Sequence, residues 1–312
     1  MARIVVAEPM AAEAVARLAA VHDVLADPAL ADEPPRLLRE ARTADALIVR
    51  NRTPVRGELL DALVRCRVIG RLGLGLQNID VDACIARGIR VIPATGAYAR
   101  AVAEYVVAMA LALRRGSAYR SSAAVAAGVW PRGEASLGRE CGDAMLGLVG
   151  FGGTGRLVAQ LARGIGMTVI ASDPQLGTDG AAWHEHGVRL VTLDELVQAA
   201  DVVSLHVPLL PGTRRLFDAD RLASLKPGAV LIDAARGGIV DESALAAALR
   251  RGHLAGAALD VFEQEPLPAN GHPFVDCPNL LLTPHIAGTT VESNARVSAV
   301  VAEKVLEALA KG

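Results

Sequence analysis

Apolar residues run along this chain in two alternating rhythms. Short, predominantly apolar runs that read as strand candidates occur at Ile4–Ala7, Val21–Leu25, Ala46–Val49, Val68–Gly70 and Ile89–Ile92. They return at Met145–Val149, Met167–Ala171, His186–Val191, Asp201–Val207, Ala229–Ala235, Ala255–Val261 and Leu280–Thr283. Runs that are short, β-branched and lack polar alternation suit strands covered on both faces. Between them apolar residues recur at helical spacing: near Ala11–Ala20, Pro35–Ala41, Val81–Arg87, Tyr98–Arg115, Asp218–Leu225, Asp241–Arg250 and Thr290–Leu309. Asp80, Asp241 and the pair Thr192 and Glu195 stand where helix N-caps belong. Alternating strands and helices predict an α/β architecture built on parallel sheets.

One unit stands out. The run Met145–Val149 breaks into Gly150-Phe-Gly152-Gly153-Thr154-Gly155, a helical pattern follows through Leu157, Val158, Leu161 and Ile165, and a second strand ends at Asp173. In such a strand–turn–helix unit the first glycine permits the tight turn, the second lets a pyrophosphate approach the backbone, and the third lets helix and strand pack closely. The N–H groups at the helix start hold phosphates, and an acid at the end of the second strand bonds the adenosine ribose hydroxyls. Together these features predict a Rossmann-type, doubly wound dinucleotide-binding domain. It covers residues 99–286 and is inserted into a second, flavodoxin-like α/β domain made of 1–98 and 287–312. Asp173 precedes Pro174 and Gln175 without a nearby cation, so the expected cofactor is NAD rather than NADP.

Composition narrows the classes. Of 312 residues 52% are hydrophobic, enough for large cores, and the net charge of −2 argues against a nucleic-acid partner. No apolar run reaches a membrane span, and no secretory leader is recognisable at the start. The four cysteines, Cys66, Cys84, Cys141 and Cys277, lie at no metal-ligand spacing. The expectation is a cytoplasmic protein with free thiols, no metal and no membrane partner.

Three polar residues follow strand candidates: Arg236 after Val230–Ala235, Glu265 after Ala258–Phe262, and His285 after Leu280–Pro284. Ligands of open α/β sheets bind beyond the carboxyl ends of the strands, where these three can converge. Hydride transfer to a ketone also needs a proton. His285 suits that task, Glu265 could orient it, and Arg236 could hold a carboxylate. His206 could line the cofactor cleft or serve the scaffold.

The segments Ala234-Ala-Arg236-Gly-Gly-Ile-Val-Asp241, Ala258-Leu-Asp260-Val-Phe-Glu-Gln-Glu265-Pro266 and Thr283-Pro-His285-Ile-Ala-Gly288, with the glycine turn and Asp173, resemble the D-isomer-specific 2-hydroxyacid dehydrogenases. The resemblance covers essentially the whole chain. It implies catalytic roles for Arg236, Glu265 and His285. It implies cofactor contacts at Gly150, Gly152, Gly153, Thr154, Gly155, Asp173, Val207, Pro208, Ala234, Asp260, His285 and Gly288. It also implies a substrate loop at Gly70–Gly75 whose N–H groups at Leu74 and Gly75 bind the substrate carboxylate, and a homodimer. Gly153-Thr154, Gln77 and Tyr98 depart from the usual family residues.

The N-terminal loops are basic, with Arg50, Arg52 and Arg71 near strand ends. Arginines there suit a second anionic group on the substrate, so Arg50 and Arg71 join Arg236 as substrate-binding candidates. The pattern resembles 3-phosphoglycerate dehydrogenases, and the expected substrate is 3-phosphoglycerate or phosphohydroxypyruvate, with no counterpart to the C-terminal regulatory domain many of them carry. Hydroxypyruvate or glyoxylate reduction and sulfolactate oxidation are the alternatives within enzymes. An NAD(H)-sensing binding protein of corepressor type is the alternative from another class.

Overall fold

The computed structural model describes residues 1–176 and 186–311, and these divide into two compact units, Met1–Tyr98 with Thr289–Gly312, and Ala99–Gly288. The first unit holds five parallel strands: β1 (Arg3–Val6), β2 (Asp23–Ala26), β3 (Ala46–Val49), β4 (Val68–Arg71) and β5 (Arg90–Pro93). Their spatial order, β2-β1-β3-β4-β5, is the flavodoxin-like order. The central strands β1, β3 and β4 are mostly apolar because both their faces are covered. Ile4, Ile48 and Val68 pack with Val297, Val301 and Val305 of the long helix Val291–Ala310, while Val5, Leu47 and Ile69 pack with Leu37, Leu59 and Leu60 on the other side. Each fully buried side chain of this kind contributes about 1.5–3 kcal/mol.

The second unit holds seven parallel strands: β6 (Met145–Val149), β7 (Thr168–Ser172), β8 (Arg189–Leu190), β9 (Val202–Leu205), β10 (Val230–Asp233), β11 (Gly256–Leu259) and β12 (Leu280–Leu282). The order β12-β11-β10-β9-β6-β7-β8 reverses direction between β6 and β9, the doubly wound pattern. Caps anticipated from sequence are present. Asp80 accepts from Ala83 N at 3.0 Å, Asp241 from Ala244 N at 2.9 Å, and Thr192 and Glu195 form a reciprocal box. Each such cap is worth about 1 kcal/mol.

The sequence pattern and the fold part company at two elements. The strand expected over His186–Val191 shortens to β8. The helix Gly57–Ala62 has no counterpart in the sequence reading, being too short to show a period. The apolar face of the helix Ala99–Arg114 turns inward, Val106, Ala110 and Leu113 packing on Leu146 and Ile232. The segment after it carries two short helices, Ser122–Ala126 and Arg132–Ala135, and exposes Tyr119, Val129, Trp130 and Leu137. All four cysteines are free, and burial pushes the Cys66 thiol up to about 12.

Candidate active site

At the end of β6 the chain turns at Gly150, whose φ of 95° favours glycine. A Cβ at Gly150 would lie 2.8 Å from the His206 carbonyl oxygen, and one at Gly155 would lie 2.6 Å from the Gly150 oxygen. Close packing therefore fixes both positions. At Gly152 and Gly153 a Cβ would meet nothing within 4 Å, so the room there is left beside the helix Gly153–Gly164. Its N-cap, Gly152, supplies no side-chain cap, which suits the first-turn N–H groups, Thr154 among them, to phosphate oxygens. Asp173 follows β7. Its Oδ2 accepts from Phe151 N at 2.9 Å and its Oδ1 from Gln175 N at 3.0 Å, so the glycine turn itself pins the acid. A cavity of about 590 Å³ adjoins it, lined also by Ser172, Val191, Thr192 and Glu195. Val207 lies against Gly150, with Pro208 next in the loop after β9. Room, N–H donors and a terminal acid together fit a dinucleotide.

His206 sits on the same rim with its Nε2 3.0 Å from Ser204 Oγ. Burial lowers the imidazole to about 4, which keeps it neutral at pH 7.

The loops after β10, β11 and β12 carry the three polar candidates. His285 Nδ1 lies 2.7 Å from Glu265 Oε2, while Glu265 Oε1 accepts from Phe262 N at 3.0 Å. The carboxylate is thus oriented by backbone before it meets the ring, which leaves Nε2 of His285 to face a substrate. His285 has a φ of 55°, a conformation uncommon outside glycine. Asp260 holds it there. Buried at the end of β11, Asp260 accepts from Ile286 N and Ala287 N at 2.8 Å each and from Thr283 Oγ1 at 2.6 Å. Tyr105 OH lies 2.8 Å from that threonine hydroxyl. Asp260, expected beside the cofactor, therefore has both oxygens committed to the loop bearing His285. A cavity of about 560 Å³ lies next to the pair, lined by Phe262, Pro266, Leu267, Leu282 and Pro284.

Arg236 is half-buried after Ala234, and its Nη1 donates to the Ala235 carbonyl at 2.6 Å. Beneath it lies Asp233, 2% exposed, whose Oδ1 accepts from Ala235 N at 2.9 Å. Burial raises the Asp233 carboxyl to about 7 against the opposing pull of the Ala235 and Arg236 N–H groups and the Arg236 charge. Sequence alone marked neither Asp233 nor Tyr105.

In the first unit Val49 of β3 pairs with Arg71 of β4, so Arg50 and Arg71 stand at adjacent strand ends. A Cβ at Gly73 would lie 1.2 Å from Arg71 Nη1, so the guanidinium lies over a glycine that makes room for it. Arg50 Nη2 donates to Asn294 Oδ1. Arg52 instead ends on the Asp32 carboxylate at the surface. Among the described residues neither Leu74 N nor Gly75 N donates to a protein acceptor. Tyr98 donates to the Leu72 carbonyl at 3.2 Å. The sequence reading passed over Glu8. This residue, 1% exposed, accepts from Arg50 N at 2.8 Å, Thr53 N at 3.0 Å, Arg52 N at 3.1 Å and Asn51 N at 3.3 Å.

Residues 107–287 match the family model described as D-isomer specific 2-hydroxyacid dehydrogenase, NAD binding domain. The chain belongs to this family. A similar relative is the (S)-sulfolactate dehydrogenase of Chromohalobacter salexigens, 51% identical over 311 residues and covering 99% of both chains. The D-3-phosphoglycerate dehydrogenase of Mycobacterium tuberculosis is 40% identical over 275 residues, which are 88% of this chain but 51% of that one. The chain thus spans about half the length of the phosphoglycerate dehydrogenases it matches there. Among solved structures, the TT0316 protein from Thermus thermophilus superposes with a TM-score of 0.84 at 34% identity, over 99% of this chain and 97% of its own. The protein is an NAD-dependent oxidoreductase of the 2-hydroxyacid dehydrogenase kind. Among the described residues no helix is long and apolar enough to cross a membrane, and no cluster of three or more His, Cys, Asp or Glu side chains is placed to hold a metal.

Proposed function

We propose that the protein interconverts a three-carbon 2-hydroxy acid and its 2-keto acid where C3 carries a second strong anion, with sulfolactate and sulfopyruvate the first reading. The observation that carries it is Arg50 at the end of β3, held by a neutral amide oxygen and keeping its charge, beside Arg71 at the end of β4. The identity to a sulfolactate dehydrogenase over the full length of both chains favours a sulfonate. The second reading, 3-phosphoglycerate and phosphohydroxypyruvate, is favoured by the relatives of that name.

In this reading bound NADH supplies the hydride to the carbonyl carbon. His285 gives the proton from Nε2 to the carbonyl oxygen, and Glu265 steadies the charged ring through Nδ1. Arg236 holds the substrate carboxylate and polarises the adjacent carbonyl, with the N–H groups of Leu74 and Gly75 as further donors. Gly150, Gly152, Gly153, Thr154 and Gly155 take the pyrophosphate and Asp173 the ribose. Val207, Pro208, Ala234 and Gly288 line the cofactor. Residues 1–98 with the C-terminal helix serve the substrate and 99–286 the nucleotide. The exposed Tyr119, Val129, Trp130 and Leu137 support a homodimer, and the free thiols support a cytoplasmic setting.

NADH oxidation against sulfopyruvate, phosphohydroxypyruvate, hydroxypyruvate, glyoxylate and pyruvate tests this. The expected result is a kcat/KM for sulfopyruvate about tenfold or more above that for glyoxylate, a difference of about 1.4 kcal/mol. Preference for phosphohydroxypyruvate would select the second reading. Preference for hydroxypyruvate or glyoxylate would return the arginines to the scaffold. NADH binding without turnover of any would favour the sensing protein.

A further inference from the structure

Asn294 lies in the first turn of the helix Val291–Ala310. The helix start is fixed by a reciprocal box in which Ser293 N donates to Thr290 Oγ1 at 3.0 Å and Thr290 N to Ser293 Oγ at 2.8 Å. Asn294 N donates to the Thr290 carbonyl at 3.0 Å, and its own carbonyl accepts from Ser298 Oγ at 2.9 Å. The half-buried side chain is therefore presented from a rigid element.

Its partner is equally fixed. Arg50 N donates to Glu8 Oε1 at 2.8 Å, and the Arg50 carbonyl accepts from Asn78 Nδ2 at 3.2 Å. Asn78 Nδ2 also donates to the Thr53 carbonyl at 2.8 Å, tying the two ends of the loop together. Out of this clamped loop the Arg50 guanidinium meets Asn294 Oδ1.

A guanidinium has donors only, so the amide oxygen, not the nitrogen, must face it. What Asn294 then has left to offer is its two N–H donors, and the remaining donors of Arg50 complete a face made of N–H groups. An aspartate at this position would hold Arg50 as firmly but would cancel its charge, as Asp32 does for Arg52. We infer that Asn294 is a specificity-determining residue: it holds Arg50 without neutralising it and offers its N–H donors to the same anion on the substrate. The chemistry such a face recognises is an anion whose oxygens all accept. A sulfonate meets that at every working pH. A phosphate monoester, with its second ionisation near about 6, keeps a proton on part of the population that an N–H face cannot accept. The inference rests on the reading that the substrate carries a second anion.

The test compares Arg50→Ala, Asn294→Asp and Asn294→Gln in the full-length protein. It reads the ratio of kcat/KM for sulfopyruvate to that for glyoxylate, with Tm and NADH binding as controls on folding. Arg50→Ala and Asn294→Asp are each expected to lower the ratio about tenfold or more, through KM rather than kcat, because a charge-assisted contact is lost or cancelled. Asn294→Gln, which keeps the amide, is expected to keep most of the ratio. A collapse in Arg50→Ala with none in Asn294→Asp would overturn the role of Asn294 and leave the second anion standing. An equal collapse in Asn294→Gln and Asn294→Asp would overturn it too, since the amide would then not be what counts. An unchanged ratio in Arg50→Ala would overturn the second anion and this inference with it.

Discussion

Two loops in this protein are held in the same way by strands of different sheets, and they end up with different tasks. In the N-terminal unit the loop after β3 is gripped by Glu8, which follows the neighbouring strand β1. In the nucleotide unit the loop after β12 is gripped by Asp260, which follows the neighbouring strand β11. Each carboxylate is buried and accepts backbone N–H groups from the loop next door. Glu8 takes four consecutive amides and leaves the loop's arginines to point outward. Asp260 takes two amides and a hydroxyl, and in doing so keeps His285 in a left-handed conformation against the Glu265 carboxylate. The first clamp positions charge, which tolerates small displacements. The second positions His285, the proton donor of the proposed reaction, which does not, because proton transfer needs hydrogen-bond reach and direction. In the proposed reaction the same device thus serves affinity in one unit and chemistry in the other.

Variants can break that contrast, and the largest effect belongs to the proton donor itself. His285→Ala should lower kcat for reduction about 10³-fold while NADH still binds, read by steady-state rates and nucleotide fluorescence. Unaltered turnover would remove His285 from the reaction. Next come the two clamps. Asp260→Asn should lower kcat about 10²-fold, because loosening the loop misplaces the donor. Glu8→Gln should act mainly on KM for the dianionic substrate and lower unfolding stability by about 1.5–3 kcal/mol, the worth of hydrogen bonds to a charged group. If Glu8→Gln moved kcat as strongly as Asp260→Asn, the division between charge and proton would fail.

The remaining test is one of pH. Burial holds the Asp233 carboxyl near 7, whereas its ordinary value is 3.8. The native state therefore keeps that proton where the unfolded chain has released it. The group's contribution to stability is full below about pH 4 and is lost as pH rises toward 7. Asp233→Asn should remove that decline, so its melting temperature relative to the parent should rise between pH 4 and pH 8. Parallel melting curves across that range would place the parent's proton elsewhere.

The sequence exposed those features whose steric demands are local. Gly150 and Gly155 announce themselves because no other residue fits where His206 O and Gly150 O crowd them. The caps at Asp80, Asp241 and Thr192 are likewise settled within one helical turn. The clamps stayed hidden because their partners are remote. Glu8 reads as a plain acid after an apolar run, and the amides it serves begin 42 residues later. Asp260 was legible only through family resemblance, which suggested a cofactor contact, while its bonds are to residues 23 to 27 positions on. Arg50 and Arg52 look alike in sequence. Their difference lies in Asn294 and Asp32, brought to them by folding, 244 and 20 positions away.

The two units also have separate hydrophobic cores, each of two clusters that share no residue with those of the other unit. That separation has an evolutionary consequence. Changes in the arginine loops after β3 and β4 meet the stability of one core alone, while the glycine turn and the histidine loop answer to another. In the proposed reaction, preference for the second anion then answers to one set of constraints and the redox step to another. A lineage built this way can acquire a new acid by altering a few loop side chains without relearning how to move a hydride.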